Sequence, residues 1–209
     1  MPNATFFRLP DEKRERLLRA AEEEFTRASF AEASINRIVQ AARIPRGSFY
    51  QYFEGKEDLF FYLLDSMRES YVQTLQRSLE QARGDVFEMP LLMFDQLIGA
   101  DGEPAAELAP CVRILKLNQS MDMQGLLGGK AECVLPQLLE RIDREKLGRQ
   151  DEAFVMNVFH LLIFALVCSM METLWDKNKR AAQRRLLVDR IDIIRNGSMK
   201  DTKSGGKDE

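Results

Sequence analysis

Between Ser34 and Leu59 the chain reads SINRIVQAARIPRGSFYQYFEGKEDL, a stretch that few folds can accommodate. Ile35, Ile38 and Val39 share one face of a short helix, and Ala41 and Ala42 let a neighbouring helix approach closely. Ile44 precedes Pro45 and is pushed towards extended backbone, which ends that helix. Pro45 then presets the dihedral for a new helix start. Ser34 stands where its hydroxyl can cap the first helix. In the second helix Phe49 and Phe53 lie at i and i+4 and pin it to a core. Arg46, Ser48, Tyr50, Gln51 and Tyr52 are thereby left in more exposed positions. So many hydrogen-bonding side chains within about two turns suit a helix that enters a nucleic-acid groove.

The residue types fit that use. Arg46 and Gln51 have the donor and acceptor chemistry of base readout, arginine towards guanine and glutamine towards adenine. Ser48, Tyr50 and Tyr52 can donate to phosphate oxygens, and Lys56 can add charge at such a contact. Gly47 allows the backbone to come close to its partner. With Ser34 at the start of the motif, these eight residues form the expected DNA-facing set. The whole chain carries a net charge of -3, so phosphate attraction must come from a local patch. Residues 35–56 supply one: Arg37, Arg43, Arg46 and Lys56 stand against Glu54 alone.

The 209 residues are 45% hydrophobic and 30% charged, which supports a sizeable core and argues against global disorder. Cys111, Cys133 and Cys168 are far apart, and the single histidine, His160, sits near none of them in a ligand-like spacing. No metal site and no cofactor are therefore expected. The odd cysteine count, and an opening without the long apolar core of a secretory signal, fit a reducing cytoplasm. A catalytic reading lacks its parts: His160 lies in an apolar run with no carboxylate before Glu172. Residues 153–171 contain no charged side chain over nineteen positions, long enough for a membrane span. Asn157, His160 and Ser169 interrupt that run, so a buried or subunit-interface helix is expected, with no membrane partner.

Nearly every other segment also reads as helix, with no sustained period-two alternation. Leu17, Leu18, Ala21 and Phe25 recur at helical spacing after a start at Pro10 and Asp11. A long helix begins near Lys56, striped by Leu59, Tyr62, Leu63, Met67, Tyr71 and Leu75, and ends by Gly84. Further helices are expected at 86–98, 103–117, 124–146, 151–175 and 179–196, with Asn196 and Gly197 as the final stop. The small, charged residues 198–209 are expected to be disordered.

The ordered set of motifs also resembles the N-terminal domain of TetR-family transcriptional regulators. It comprises Ala41-Ala42, then Gly47-Ser48-Phe49-Tyr50-Gln51-Tyr52-Phe53, then Lys56-Glu57-Asp58-Leu59, and with the preceding helix covers about the first quarter of the chain. Arg43 stands where that family often has glycine, and Pro45 where it often has a Ser/Thr cap. A left-handed turn at a non-glycine residue costs about 1 kcal/mol, which a fold can absorb. The resemblance implies an all-α protein. A three-helix helix-turn-helix domain, residues 1–55, would precede a larger helical effector-binding and dimerisation domain, residues 56–197. It also implies a homodimer through the last two long helices, a palindromic double-stranded operator, and release of that operator by a small hydrophobic or amphipathic effector.

Effector candidates come from apolar and polar residues after Leu59. Met93, Phe94, Met121 and Phe164 could line an apolar pocket, although residues at such spacing are equally core formers. Asn157 and His160, at i and i+3, share a face of an apolar helix. They could hold an effector's polar end, bond across a dimer, or satisfy each other.

Overall fold

A computed structural model of the chain describes residues 1–118 and 138–199. Among these residues every regular element is helical. The elements are α1 (Ala4–Phe7), α2 (Asp11–Arg27), α3 (Ile35–Ala41), α4 (Arg46–Tyr52), α5 (Lys56–Gln81), α6 (Met89–Leu97), α7 (Ala109–Leu117), α8 (Glu152–Trp175), a 3-10 turn (Lys177–Lys179) and α9 (Arg180–Ser198). The chain forms two compact units. The first takes Met1–Tyr71 and the described residues from Ala106 to Asn118, and the second takes Val72–Ala105 and residues 138–199. The helix-turn-helix core thus takes in more chain than residues 1–55.

In the first unit α2 turns Leu17, Ala21 and Phe25 inward, as its spacing predicts, with Ala20 beside them and Leu18 only partly buried, against Ile38 and Val39 of α3 and Phe49 of α4. Leu59, Phe60 and Leu63 from the start of α5 complete this core together with Phe53. Phe25, Phe30 and Phe60 form one aromatic cluster, with Phe60 at 4.9 Å from each of the other two. Full burial of side chains this size stabilises by roughly 1.5–3 kcal/mol each. Two contributions were not visible in the sequence. Helix α1 inserts Phe6, wholly buried, 4.9 Å from Phe53 and 5.2 Å from Tyr62. Helix α7 packs on α2 and places Ile114 in the same core. Asn118, at the end of α7 and 5% exposed, accepts from the Phe30 N–H at 2.7 Å and donates to the Ile114 carbonyl at 2.8 Å.

The turn between α3 and α4 closes as a Schellman motif. The Ile44 N–H donates to the Val39 carbonyl at 3.0 Å and the Arg43 N–H to that of Gln40 at 3.1 Å. Arg43 occupies the left-handed position at φ 53°, the place where the sequence comparison with the family expected glycine. The end of α5 repeats the device with Arg83 at φ 53° and Gly84 donating to Leu79 at 2.9 Å. Gly84 itself has φ 81°, and a Cβ on it would stand 2.8 Å from the Arg141 carbonyl oxygen, so glycine is required on both counts.

The second unit is built around α8, which packs on α9 and α6. Val155, Val158, Phe159, Leu162, Leu166 and Met170 form its buried side, and Leu187 and Ile191 of α9 meet the core. Asp95 on α6 accepts a bidentate pair from Arg184, at 2.7–3.0 Å, and a further bond from Arg180 at 2.9 Å. The Arg184 bonds hold the Asp95 carboxyl below the ordinary carboxylate range. Helix α8 is long and apolar enough to cross a membrane by length and composition, and 44% of that apolar window is buried within the unit.

Several expected boundaries shift for identifiable reasons. Helix α6 starts at Met89 rather than Val86, because the Asp85 carboxylate takes the Phe87 N–H at 2.9 Å into a turn and Pro90 favours a first-turn position. Helix α7 starts at Ala109 rather than Glu103, with Pro110 again in the first turn. The expected helix at 124–146 lies largely outside the described residues, but its predicted C-terminal part is not helical. Beyond Leu139 the chain turns, and the Asp143 N–H bonds to the Gly84 carbonyl at 2.9 Å. Asn196 and Gly197 do not stop α9, which continues to Ser198. The Cβ-free Gly197 is tolerated there in open space. The tail from residue 200, Met121 and Cys133 lie outside the described residues.

Candidate nucleic-acid interface

The position of α3 is set by a carboxylate from another helix. Glu24 of α2 is 5% exposed and receives the Arg37 Nε at 2.8 and 3.0 Å, the Arg27 guanidinium at 2.6 Å and the Ser34 N–H at 2.8 Å. Burial alone would raise its pKa. The bonds from Arg37, then Arg27 and the Ser34 N–H, outweigh that and hold it at about 2. Two expectations are corrected here. The Ser34 residue does sit at the α3 N-cap, but its hydroxyl makes no capping bond; its N–H is what anchors the turn. Arg37 is not part of a free basic patch, because its charge is matched by Glu24 and its Nη2 also bonds the Glu32 carbonyl at 2.8 Å. Counting charge inside residues 35–56 missed this partner eleven residues upstream of Ile35.

Helix α3 is held at its other end as well. Arg16 of α2 donates through Nε to the Ala42 carbonyl at 2.7 Å, satisfying one of the carbonyls a helix end leaves open. Lys56 behaves in the same manner. Its ammonium, expected at a phosphate, bonds the Ala31 and Ala33 carbonyls at 3.2 and 3.0 Å and lies 4.7 Å over the Phe30 ring. It therefore clasps the α2–α3 turn to the start of α5. Arg43 and Arg46 remain as exposed cations of the motif with no ion pair among the described residues.

Helix α4 divides as its pattern predicts. Phe49 is wholly buried, while Arg46, Gly47, Tyr50 and Gln51 are exposed and Ser48 and Tyr52 half-buried. Arg46 Nη1 donates to the Asn36 side-chain oxygen at 2.8 Å. This neutral partner fixes the guanidinium beside α3 without cancelling its charge. Tyr50 is 46% exposed and stands edge-on to Phe49, with ring centroids 5.3 Å apart, so one part of its ring is packed while the side chain stays open to solvent. Gly47 has no structural reason to be glycine. A Cβ there meets nothing within 4 Å, and its φ is not in the left-handed region. Alanine would suit a helix better there by up to about 1 kcal/mol.

The structure does not bring the effector candidates among the described residues together. Met93 and Phe94 are wholly buried in the second unit's core. Asn157, His160 and Phe164 lie on the exposed side of α8, with Phe164 at 70% exposure. Periodicity identified these residues as sharing faces but could not tell which face was covered.

Residues 17–63 match the sequence pattern described as "Bacterial regulatory proteins, tetR family". Over that stretch, less than a quarter of its length, the chain is similar to the TetR family. Related proteins agree over the same region. The transcriptional regulator AcuR of Cereibacter sphaeroides is 37% identical over 75 residues, 36% of this chain and 32% of that protein. The uncharacterized HTH-type transcriptional regulator YdgC of Bacillus subtilis is 41% identical over 68 residues, 32% of this chain and 34% of its own length. The HTH-type transcriptional repressor NemR of Escherichia coli K12 is 28% identical over 85 residues, 41% and 43% of the two chains. The match thus spans only about a third to two-fifths of these TetR-type relatives. Over most of the chain the fold is shared with a tetR family transcription regulator from Shewanella sp. PV-4, at TM-score 0.60 and 16% identity, covering 91% of this chain and 99% of that one. Reduced NemR from E. coli shares it at TM-score 0.54 and 20% identity, with the same coverage.

The Glu24 cluster predicts an acid sensitivity of known sign. A folded-state pKa depressed to about 2 contributes stability above the unfolded value near 4.5, and that stability is lost as pH falls from there towards 2. Thermal unfolding followed between pH 6 and pH 2 should show the first unit losing stability across that window. Glu24→Gln should flatten this dependence while lowering stability at neutral pH by about 2–4 kcal/mol.

Proposed function

We propose that this protein is a homodimeric DNA-binding transcriptional regulator that acts as a repressor and is released from a palindromic operator by a small apolar or amphipathic molecule. The observation that carries the DNA reading is α4 itself: two aromatic rings hold it while Arg46, Gly47, Tyr50 and Gln51 face outward. In this reading Arg46 and Gln51 contact base edges, and Ser34, Ser48, Tyr50 and Tyr52 contact phosphates. Lys56 acts by holding the turn below them. The name of the related NemR supports repression.

The dimer reading rests on α8 and α9. Asn157, His160, Leu161, Phe164 and Trp175 leave an exposed, largely apolar row along α8, and Leu186 and Ile193 are exposed on α9. A second copy of the same surface would cover both rows, and this assigns Asn157, His160 and Phe164 to subunit contact in preference to effector binding. A two-fold dimer would set two reading helices about 34–36 Å apart, one duplex turn. An effector shifts such a dimer only through tighter binding to the state whose helices no longer fit the grooves.

Duplexes selected by the protein from a random-sequence pool test the DNA assignment. An enriched palindromic site is expected. Arg46→Ala should weaken binding and relax preference at one base position by roughly 1–3 kcal/mol. Tyr50→Ala should weaken binding to all sequences and leave the preference intact. No enrichment, or binding indifferent to both changes, would refute it. For the dimer, sedimentation should give twice the 24.1 kDa chain mass, and Phe164→Glu should halve it.

A further inference from the structure

The carboxyl end of α4 is held by a segment that lies more than forty residues before it in the chain. Asn3 donates its backbone N–H to the Tyr52 carbonyl at 2.8 Å and its side-chain amide to the Gln51 carbonyl at 3.4 Å. These are two of the carbonyls that the last turn of a helix leaves without intrahelical donors. Three residues later Phe6 is wholly buried, 4.9 Å from Phe53, the residue that ends α4. Pro2 is also buried. The segment therefore grips α4 at its open carbonyls and at its terminal ring.

No other described element does this for α4. Phe49 and Phe53 fix its depth in the core and the Arg46–Asn36 bond holds its amino end, so the placing of its carboxyl end falls to this segment. At seven residues α4 is too short to be stable by itself, so its direction depends on such attachments. The two carbonyls gripped belong to Gln51 and Tyr52, two of the side chains assigned to DNA. A shift at those carbonyls moves the side chains with them. A displacement of about 1 Å suffices to lose a directional base contact.

We propose that the segment Pro2–Leu9 is a brace that orients the reading helix, with Asn3 as its positioning residue. This rests on the DNA-binding assignment of α4 and adds to it a residue that need not touch DNA at all. The brace acts in the free protein, so its effect is visible without DNA as well as with it.

Asn3→Pro isolates the main bond. Asn3 has φ -70°, a value proline adopts, so the change keeps the local path of the chain while removing the N–H donor. Its ring carbon would also stand against the Tyr52 carbonyl. Asn3→Ala retains the N–H and loses only the longer amide bond. Affinity for the duplex selected by the unaltered protein should fall about tenfold in Asn3→Pro and no more than about threefold in Asn3→Ala. Hydrogen exchange of the free protein should speed up across residues 46–53 in Asn3→Pro and stay unchanged across α2. Unaltered affinity in Asn3→Pro, with the parent protein binding normally, would overturn the brace alone. Equal acceleration of exchange in α2 and α4 would overturn it too, since that marks general loosening of the unit. A parent protein that selects no duplex would overturn the DNA assignment and the brace with it.

Discussion

The carboxylate of Glu24 is the joint on which the helix-turn-helix depends. A carboxylate that is 5% exposed is unfavourable unless its lone pairs are occupied, and here Arg37, Arg27 and the Ser34 N–H occupy them. That satisfaction fixes α3 on α2, and α3 in turn sets the start of α4. The Schellman turn at Arg43 leaves only a short path into α4, Arg16 takes the Ala42 carbonyl at the far end of α3, and Asn36 takes the Arg46 guanidinium. Polar bonds thus set direction in this unit, while the phenylalanine cluster sets depth.

Much of the motif was legible because its signals are local. The Ile44-Pro45 break, the Phe49/Phe53 pair and the polar residues between them all act within one or two turns, and the structure has them where the spacing requires. What could not be read was long-range. Glu24 finds Arg37 across thirteen residues, Arg16 finds Ala42 across twenty-six and Asn118 finds Phe30 across eighty-eight. Glu24 converts Arg37, and the Ala31 and Ala33 carbonyls convert Lys56, from an apparent source of phosphate attraction into an internal fastener. Helix α1 escaped notice for a related reason: one buried ring in a four-residue helix leaves no periodicity to detect.

In the second unit the difficulty was of another kind. Helix α8 is apolar nearly all round, and composition cannot separate a core helix, a membrane span and a subunit interface. The structure buries one side with Val155, Phe159, Leu162 and Leu166 and leaves Leu161, Phe164 and Trp175 outside. Asp95, bound by Arg180 and Arg184, ties α6 to α9 and so keeps the buried side closed. The pair Asn157 and His160 did share a face as its spacing requires, but that face is the open one.

Gly47 offers the most direct test of the claim that α4 is shaped for a partner outside the chain. Among the described residues nothing fills the space beside it, so a methyl group there should be neutral or stabilising by up to about 1 kcal/mol. A close-fitting duplex would meet that methyl at once. The decisive measurement is therefore the thermal midpoint and duplex affinity of Gly47→Ala, taken side by side. An equal or higher midpoint is expected, with binding weakened at least about tenfold. Full-strength binding by the alanine variant would contradict it.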